Sequence, residues 1–436
     1  MRTPQFQLPL HRLFPRYFHP RRPLFSPIGI DKPSINTQIR TIKSIGKTQG
    51  RLIILVQAQD GQVIVVESSQ DRLSSSLFAH RSVRIFFVAG YKLLQDIDTK
   101  HYEVVVISPR NYFVFTPLLA STSVGTLEFR CITEPVRRYL SNVKFYQAYA
   151  DSVDWLTNTI HCTSNLERKR DKFAIEFDNL VIAVGANSNT FGIPGVGDHA
   201  LFLKDISDAR RIRQRVIECF EHASQPGVTD EEIFGALHFV VVGGGPTGIE
   251  FSAELHDFIV EDMARLYPQL MAKTRMTVYD VAPEILGSFD VGLREYAAKK
   301  FTRKGIRIKT KRRVLEVKER TLVIKGEKEV SYGLLVWATG LSDNPFTRAV
   351  GDRIMKDQSA KRLLTDHYLQ VLDKDTGAPI ENVYALGDCA TIKDYDLPAT
   401  AQVANQKAVY LRKLINKLGR DPLAEVKPFK FFNMGR

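Results

Sequence analysis

Three glycines in the segment HFVVVGGGPTGIE have the spacing of a turn that binds a dinucleotide. Gly243, Gly245 and Gly248 follow an apolar run directly and precede a helical pattern through Phe251. Glycine lets the backbone approach a pyrophosphate there, and the helix N-terminus supplies free N–H groups and the positive end of a dipole. The spacing alone is weak evidence. The strand before it and the helix after it favour a dinucleotide site over a glycine-rich turn between packed elements.

Asp280 ends the next apolar run, MTVYD. A carboxylate at this strand end accepts hydrogen bonds from ribose hydroxyls and repels a 2′-phosphate, so it favours NADH over NADPH. Its distance from Gly248 exceeds the usual ~20 residues, which predicts an extended helix and loop through Tyr267 to Lys273. The alternative is a solvent-facing Asp at the end of a strand.

Further glycines follow three other apolar runs. NLVIAVG ends at Gly185, LLVWATG ends at Gly340, and ENVYALGDCA contains Gly387 and Asp388. Together with the GxGxxG turn they resemble the second FAD signature and the crossovers of flavoproteins with two dinucleotide sites. In that class the Asp of the second signature, Asp388 here, binds the ribitol chain of FAD.

Runs that are apolar on both faces predict buried strands of parallel sheets. We therefore predict an α/β flavoprotein with two Rossmann-like, doubly wound domains, the NADH domain being inserted in the FAD domain. The predicted segments are a presequence or basic arm (1–43), an irregular segment (44–82), the first part of the FAD domain (83–235), the NADH domain (236–345), the second part of the FAD domain (346–427) and the start of a C-terminal membrane domain (428–436).

Four longer segments resemble the fungal and plant type II (alternative, rotenone-insensitive) NADH:quinone oxidoreductases of mitochondria. They are DTKHYEVVVISPRNYFVFTPLLASTSVGTLEFR (98–130), TFGIPGV (190–196), GGGPTGIEFSAELHDF (243–258) and LPATAQVANQ (397–406). The resemblance covers residues 90–436. It implies electron transfer from NADH through FAD to ubiquinone without proton pumping, on the surface of the inner membrane, and it allows a homodimer.

The resemblance also implies roles for individual residues. Glu250 lies beside the nicotinamide and the flavin, and Gln402 and Gln406 line the quinone pocket. The remaining cofactor-binding residues that it implies are Gly90, Ser108, Arg110, Thr116, Pro117, Leu118 and Ala401. The residues themselves predict a helix from Thr400 that places the two glutamines one turn apart. The alternatives are an exposed polar stripe and, for Glu250, a first-turn carboxylate that the helix dipole favours.

Charge and composition limit the function classes. The net charge of +13 is dispersed, which favours a membrane surface or a dinucleotide over nucleic acid. The first thirty residues contain five Arg and no Lys, Asp or Glu, which favours a mitochondrial presequence over a disordered basic arm. No apolar run is long enough to span a bilayer. The four cysteines are far apart, so we predict neither disulfides nor a metal site.

Several departures from the family pattern affect the expected activity. The first FAD turn retains only Gly90 in the segment VRIFFVAGYKLLQDID, and Ile85 and Phe87 occupy the other two glycine positions. Residues 44–82 form a hairpin pattern around Asp60 that matches no relative. We expect weak FAD binding. The sequence also ends where relatives continue into a membrane segment. The alternatives are an inactive or truncated nucleotide-binding flavoprotein, and another pyridine-nucleotide reductase, which would need a cysteine pair where only Cys131 stands.

Overall fold

The computed structural model describes residues 40–42, 51–55, 89–139, 142–166 and 171–433. The strands of these residues are, in chain order, β1 (Arg40–Ile42), β2 (Arg51–Leu55), β3 (Glu103–Ser108), β4 (Tyr112–Val114), β5 (Thr133–Pro135), β6 (Lys144–Asp154), β7 (Thr159–Ser164), β8 (Lys172–Glu176), β9 (Asn179–Ile182), β10 (Asn187–Ser188), β11 (His238–Val242), β12 (Arg275–Tyr279), β13 (Arg307–Lys309), β14 (Val314–Val317), β15 (Thr321–Ile324), β16 (Val330–Ser331), β17 (Leu334–Trp337), β18 (Leu341–Ser342), β19 (Leu363–Thr365), β20 (Gln370–Leu372), β21 (Pro379–Ala385) and β22 (Ala390–Ile392).

The helices of the described residues include several short ones. In chain order they are α1 (Ala89–Leu94), α2 (Leu119–Val124), α3 (Val196–His199), α4 (Ile206–Ala223), α5 (Asp230–Ala236), α6 (Pro246–Phe258), α7 (Ala264–Leu266), α8 (Val291–Arg303), α9 (Pro345–Ala349) and α10 (Ala401–Arg420). A π-helical turn, Ile259–Met263, joins α6 to α7, and a 3-10 helix, Pro268–Lys273, follows. This is the extended connection that the distance between Gly248 and Asp280 predicts.

The larger sheet has the strand order β1-β8-β7-β6-β3-β2-β9-β21-β20-β19-β22. Its centre is parallel, because β2 pairs in parallel with β3 on one side and with β9 on the other. All five residues of β2 are buried. The prediction of an irregular segment at 44–82 is therefore wrong for Arg51–Leu55, which forms the central strand of the first nucleotide-binding sheet. The predicted hairpin around Asp60, and Ile85 and Phe87, lie outside the described residues.

The second sheet, β13-β12-β11-β17, is parallel throughout. In the chain it lies between β9 and β21, which are direct neighbours in the first sheet. The strands predicted from the five apolar runs are confirmed as β3, β9, β11, β12 and β17. The predicted α/β fold is confirmed as well, with one sheet that is parallel at its centre and a second that is parallel throughout.

Helix α2 packs between α4 and α6 in one apolar core. The buried side chains that meet there include Leu119, Ala120 and Val124 of α2, Ile212 and Val216 of α4, and Phe251, Leu255 and Phe258 of α6. Helix α6 follows β11 of the second sheet, and α2 follows β3 of the first sheet and the short strand β4 along the chain. This core therefore joins the two nucleotide-binding parts of the chain.

The predicted helix from Thr400 is confirmed as α10, whose first N–H groups Thr400 caps by accepting from the Val403 N–H at 3.4 Å. Its buried face contains Ala404, Lys407 and Leu411. None of the helices in the described ranges combines the length and the apolarity that a membrane span requires.

Candidate active site

The glycine turn between β11 and α6 is tight on one side and open on the other. A Cβ at Gly243, whose φ is +118°, would lie 2.3 Å from the Ala338 carbonyl oxygen, and a Cβ at Gly248 would lie 1.9 Å from the Gly243 carbonyl oxygen. A Cβ at Gly245 would meet nothing within 4 Å. The first and third glycines thus allow close backbone packing, while the second leaves free space beside the N-terminus of α6. This arrangement fits a pyrophosphate.

Asp280 lies at the rim of this turn, directly after β12. Its Oδ2 accepts a hydrogen bond from the Gly244 N–H at 2.5 Å, and its Oδ1 accepts one from the Ala282 N–H at 2.6 Å. The carboxylate is half-buried and held in one orientation. Each oxygen retains a second lone pair, so the group can still accept hydrogen bonds from ribose hydroxyls.

Glu250 lies in the first two turns of α6, after the glycine turn. More than a third of its surface is open to solvent. The protein nevertheless surrounds its other side, so that burial, together with the charge of Glu254, raises the pKa of Glu250 to about 7. A carboxyl group with such a pKa is partly protonated at neutral pH and can give or take a proton.

The segment that is predicted to face the flavin begins with a 3-10 turn, Thr116–Leu118, which leads directly into α2. Pro117 fits the start of such a turn because proline lacks the backbone N–H, which would have no partner at that position. Thr116 and Pro117 are half-buried, Leu118 is exposed and Leu119 is buried in the core. The turn thus presents small and apolar surface, and its position is set by α2.

Asp388 is a buried carboxylate with one oxygen available for a ligand. It is 4% exposed, and its Oδ2 has no hydrogen-bond partner in the described part of the chain. Burial raises the pKa of Asp388 to about 6, although the positive charges of Lys204, Arg362 and Lys407 oppose the shift. Leaving a buried acceptor unpaired costs ~1–3 kcal/mol. A hydroxyl donor such as those of the FAD ribitol chain would remove this cost.

The predicted FAD residues converge at the ends of β9 and β21. Gly185, Arg362 and Asp388 line one small cavity, and both Gly185 and Gly387 have left-handed backbones, with φ of +66° and +80°. Such turns favour glycine because it lacks a Cβ. This part of the site fits the ribitol side of FAD.

Comparison with known proteins agrees with this geometry. The pattern of the family described as Pyridine nucleotide-disulphide oxidoreductase matches residues 88–408. A probable NADH dehydrogenase of Dictyostelium discoideum is 41% identical over 349 residues, which are 79% of this chain and 75% of that protein. The mitochondrial internal alternative NAD(P)H-ubiquinone oxidoreductase A1 of Solanum tuberosum is 40% identical, over 80% of this chain and 70% of its own.

A solved structure is similar over most of the fold. NDH2 from Plasmodium falciparum in complex with NADH superposes with a TM-score of 0.73 at 28% identity, covering 84% of this chain and 83% of that one. This chain belongs to the type II, or alternative, NADH dehydrogenase family. FAD and NADH are the cofactors of the family. The chain spans 62% of the external alternative enzyme B1 of Solanum tuberosum, which it matches at 38% identity.

The cysteines of this family member do not form a redox pair. All four lie in the described ranges, and all are free. Cys131 is exposed, while burial raises the pKa of the Cys219 and Cys389 thiols to about 11 and raises the pKa of Cys162 as well. Buried, protonated thiols are unreactive. The three buried cysteines therefore do not support the alternative of a reductase that works through a cysteine pair.

Gln406 has a backbone partner that the sequence did not reveal. Its Nε2 donates to the Phe432 carbonyl oxygen at 2.7 Å, and its Oε1 accepts from the Phe432 N–H at 2.9 Å. This pair of hydrogen bonds fixes the chain after α10 beside the start of the helix. Gln402 lies one turn earlier and is half-buried. The amide of Gln406 thus has a positioning task in addition to any contact with a quinone.

The other predicted cofactor residues lie in different surroundings. Gly90 is buried in α1, and Ala401 is buried at the start of α10. Ser108 is buried, and its Oγ accepts from the Arg110 N–H. The Arg110 guanidinium pairs with Asp205 at 2.8 Å. It is thus directed towards the N-cap of α4, a contact that the prediction of a cofactor role did not include.

Gly340 lies against an aromatic ring. Its φ is +48°, and a Cβ there would lie 2.9 Å from the Phe191 ring. Its carbonyl oxygen also accepts from the Asn189 N–H at 3.3 Å. The glycine thus allows close packing of two loops next to β17.

Three cations near Asp388 were not predicted. Lys407 is 1% exposed, and burial lowers its pKa to about 8. Its position was available from the sequence, because residues 404, 407, 408 and 411 share one face of the predicted helix. Lys204 lies in the loop before α4, and Arg362 directly precedes β19. No local sequence pattern at either position indicates that the side chain approaches Asp388.

Proposed function

We propose that this chain is a non-proton-pumping NADH:ubiquinone oxidoreductase that uses FAD. The observation that carries the proposal is the path of α6. This helix begins at a turn that fits a dinucleotide, carries Glu250, and packs on α2, which follows the predicted flavin-facing turn Thr116–Leu118. The relatives named NAD(P)H-ubiquinone oxidoreductases support the choice of quinone as the electron acceptor.

The NADH-side residues would bind and orient the dinucleotide. When bound, FAD supplies the two-electron chemistry between NADH and a quinone. The backbone at Gly243 and Gly245 would hold the NADH pyrophosphate, with Gly248 allowing the helix to approach, and Asp280 would accept hydrogen bonds from the adenosine ribose. The chain contributes binding, orientation and charge on this side.

The FAD-side residues would hold the flavin. Asp388 would accept from the ribitol chain, and Thr116, Pro117 and Leu118 would pack near the ring. The further residues proposed around FAD are Gly90, Ser108, Arg110, Gly185, Gly340, Gly387 and Ala401.

Glu250 would transfer a proton beside the nicotinamide. Because burial and the charge of Glu254 raise the pKa of Glu250 to about 7, this group can both give and take a proton near neutral pH. It would donate this proton towards the quinone oxygen when the quinone is reduced. Below pH 7 the protonated form dominates, so proton delivery is favoured on that side.

Gln402 and Gln406 would serve the quinone step. Replacing Gln402 by Leu removes an amide from the first turn of α10 and is expected to slow quinone turnover while flavin reduction by NADH remains unchanged. Stopped-flow measurement of the two half-reactions tests this. Gln406→Leu should affect the same step and also release Phe432, so it should lower thermal stability as well. Equal loss in both half-reactions would contradict the assignment.

We further propose a peripheral position on the mitochondrial inner membrane and assembly as a homodimer. The mitochondrial names of the relatives and the net charge of +13 support the location, because anionic lipid surfaces attract basic proteins.

The absorbance spectrum of the purified chain tests the function most directly. We expect an oxidised flavin spectrum that NADH bleaches without oxygen and that a quinone restores. A second function, nucleotide binding without electron transfer, is favoured by residues 56–88, which separate β2 from α1 where a GxGxxG turn normally stands. NADH binding in the absence of bound flavin would support this second function and contradict the first.

A further inference from the structure

Glu254 links the two nucleotide-binding parts of the chain. It lies one turn after Glu250 on α6. Its Oε1 accepts a hydrogen bond from the Ser121 hydroxyl at 3.0 Å, and its Oε2 accepts one from the Thr126 hydroxyl at 3.4 Å. Ser121 lies within α2 and Thr126 directly beyond its end. One carboxylate thus holds the short helix at two points.

The opposite side of α2 is held by Arg213 of α4. Its Nη1 donates to the Val124 carbonyl oxygen at 3.0 Å, at the C-terminus of α2, where a cation is favourable. The guanidinium also covers Gly125, since a Cβ there would lie 1.1 Å from Nη1. Glycine is therefore required at this left-handed position, with φ of +87°. Helix α2 is fixed between a carboxylate of one part and a guanidinium of the other.

The charge of Glu254 also reaches Glu250. Residues four apart on a helix are neighbours, and like charges at that distance repel each other. In the described part of the chain, Glu254 is the charged group that raises the pKa of Glu250 besides burial itself. Arg213 of α4 is a cation that contacts α2, and its Nη1 donates to the Val124 carbonyl oxygen at the C-terminus of that helix.

We propose that Glu254 is a positioning residue that holds the nicotinamide-side helix α6 against the flavin-side helix α2 and acts on Glu250 through its charge. The inference rests on the proposed function, because it assumes that Glu250 lies beside the nicotinamide. It assigns Ser121 and Thr126 as the two donors that orient the Glu254 carboxylate.

The affinity for NAD⁺ measured against pH tests the inference without requiring bound flavin. The nicotinamide ring of NAD⁺ is cationic, so ionised Glu250 should strengthen NAD⁺ binding as the pH rises through about 7. Glu254→Gln removes the neighbouring charge, and the midpoint of this rise should move to lower pH by about 0.5 to 1 unit. Glu250→Gln should abolish the pH dependence. Glu261→Gln, an exposed change on the following π-helical turn, should behave as the unchanged chain.

An unshifted midpoint in Glu254→Gln would overturn the proposal. If that variant does not fold, Ser121→Ala combined with Thr126→Val provides the second test. It removes both donors, so the amides of α2 should exchange with solvent about tenfold faster than in the unchanged chain. Unchanged exchange would overturn the proposal. NAD⁺ binding with a shifted midpoint but without quinone turnover would support the inference and contradict the proposed function alone, whereas absence of NAD⁺ binding in the unchanged chain would contradict both.

Discussion

The two strand-to-helix crossings at the centres of the two sheets differ sharply. In the second sheet, β11 ends at Val242 and α6 begins at Pro246, and Gly243, Gly244 and Gly245 form the turn between them. In the first sheet, β2 ends at Leu55 and α1 begins at Ala89, and residues 56–88 connect them. The strands occupy equivalent central positions, each between two parallel neighbours.

The comparison separates two roles that a strand followed by a GxGxxG turn usually combines. One is to form the centre of a sheet, and the other is to bind a dinucleotide. A central strand is defined by its burial and its pairing, and β2 meets both conditions. A dinucleotide turn additionally needs glycines next to a helix N-terminus. The sequence between β2 and α1 contains no GxGxxG motif, so the binding of each dinucleotide can be changed at its own crossing.

The largest effect is expected when a side chain is introduced into the short crossing between β11 and α6. Gly248→Val would place a side chain where a Cβ already lies 1.9 Å from the Gly243 carbonyl oxygen. The turn must open, and two or three backbone hydrogen bonds to the pyrophosphate are lost at ~1.5–3 kcal/mol each. NADH affinity should fall by at least about a hundredfold, measured by the fluorescence of bound NADH. Gly197→Ala, where a Cβ would meet nothing within 4 Å, is the control. Retained affinity in Gly248→Val would refute the role of the turn.

The converse change should create a dinucleotide-binding turn between β2 and α1, where the chain now has a long connection. Replacing residues 56–88 by Gly-Gly-Gly-Pro, copied from 243–246, would make Gly90 the third glycine of a GxGxxG turn. Flavin per chain after purification should rise towards one, because the new backbone hydrogen bonds to the FAD pyrophosphate should raise the affinity about a hundredfold. The same replacement with Ala-Ala-Ala-Pro is the control. Stoichiometric FAD in the unaltered chain would show that the short turn is not needed here.

Acid should weaken the second sheet through His238, the first residue of β11. Its ring nitrogens contact the Ser331 carbonyl oxygen at 2.7 Å and the Thr277 hydroxyl at 2.9 Å, and burial lowers its pKa from 6.5 to about 4. The neutral ring is favoured in the folded state, so its contribution is complete above pH 6.5 and is lost as the pH falls towards 4. The free energy of unfolding should decrease by about 2 kcal/mol between pH 7 and pH 5.

Denaturation by urea at the two pH values measures this loss. His238→Gln should remove it, and His199→Gln, at an exposed histidine, should retain it. An equal loss in the chain without His238 would assign the acid sensitivity to other groups. The first residue of β2 differs, since the Arg51 guanidinium pairs with Glu103 at 3.2 Å.

The smallest effect concerns cofactor choice at the short crossing. Asp280→Asn keeps an oxygen that can accept from the Gly244 N–H but removes the charge that repels a 2′-phosphate. That repulsion is worth ~1 to 4 kcal/mol at about 4 Å, so the ratio of NADPH to NADH affinity should rise about tenfold or more. Glu284→Gln in the same loop is the matched control. An unchanged ratio in Asp280→Asn would mean that the carboxylate serves only to hold the turn.

Local patterns predicted the elements whose signals are contained in a short stretch of chain. The GxGxxG turn, the strands that flank it, and α10 from its Thr400 cap were all predicted correctly, because turn chemistry, capping and periodicity act between neighbouring residues. The same periodicity places position 407 on the buried face of α10. Lys407 could thus have been recognised as a buried cation.

Pairing across the chain decided the rest. RLIIL has the composition of a strand, but its central place depends on β3 and β9, which lie far along the sequence, so a local pattern could not distinguish it from an isolated apolar run. Likewise Gln406 meets Phe432, and Glu254 meets Ser121, only after the helices have packed. The sequence by itself determined the turn chemistry and the apolar faces, which act over a few bonds. The tertiary structure decided partners and charges, because packing alone brings distant groups within hydrogen-bond distance and removes them from water.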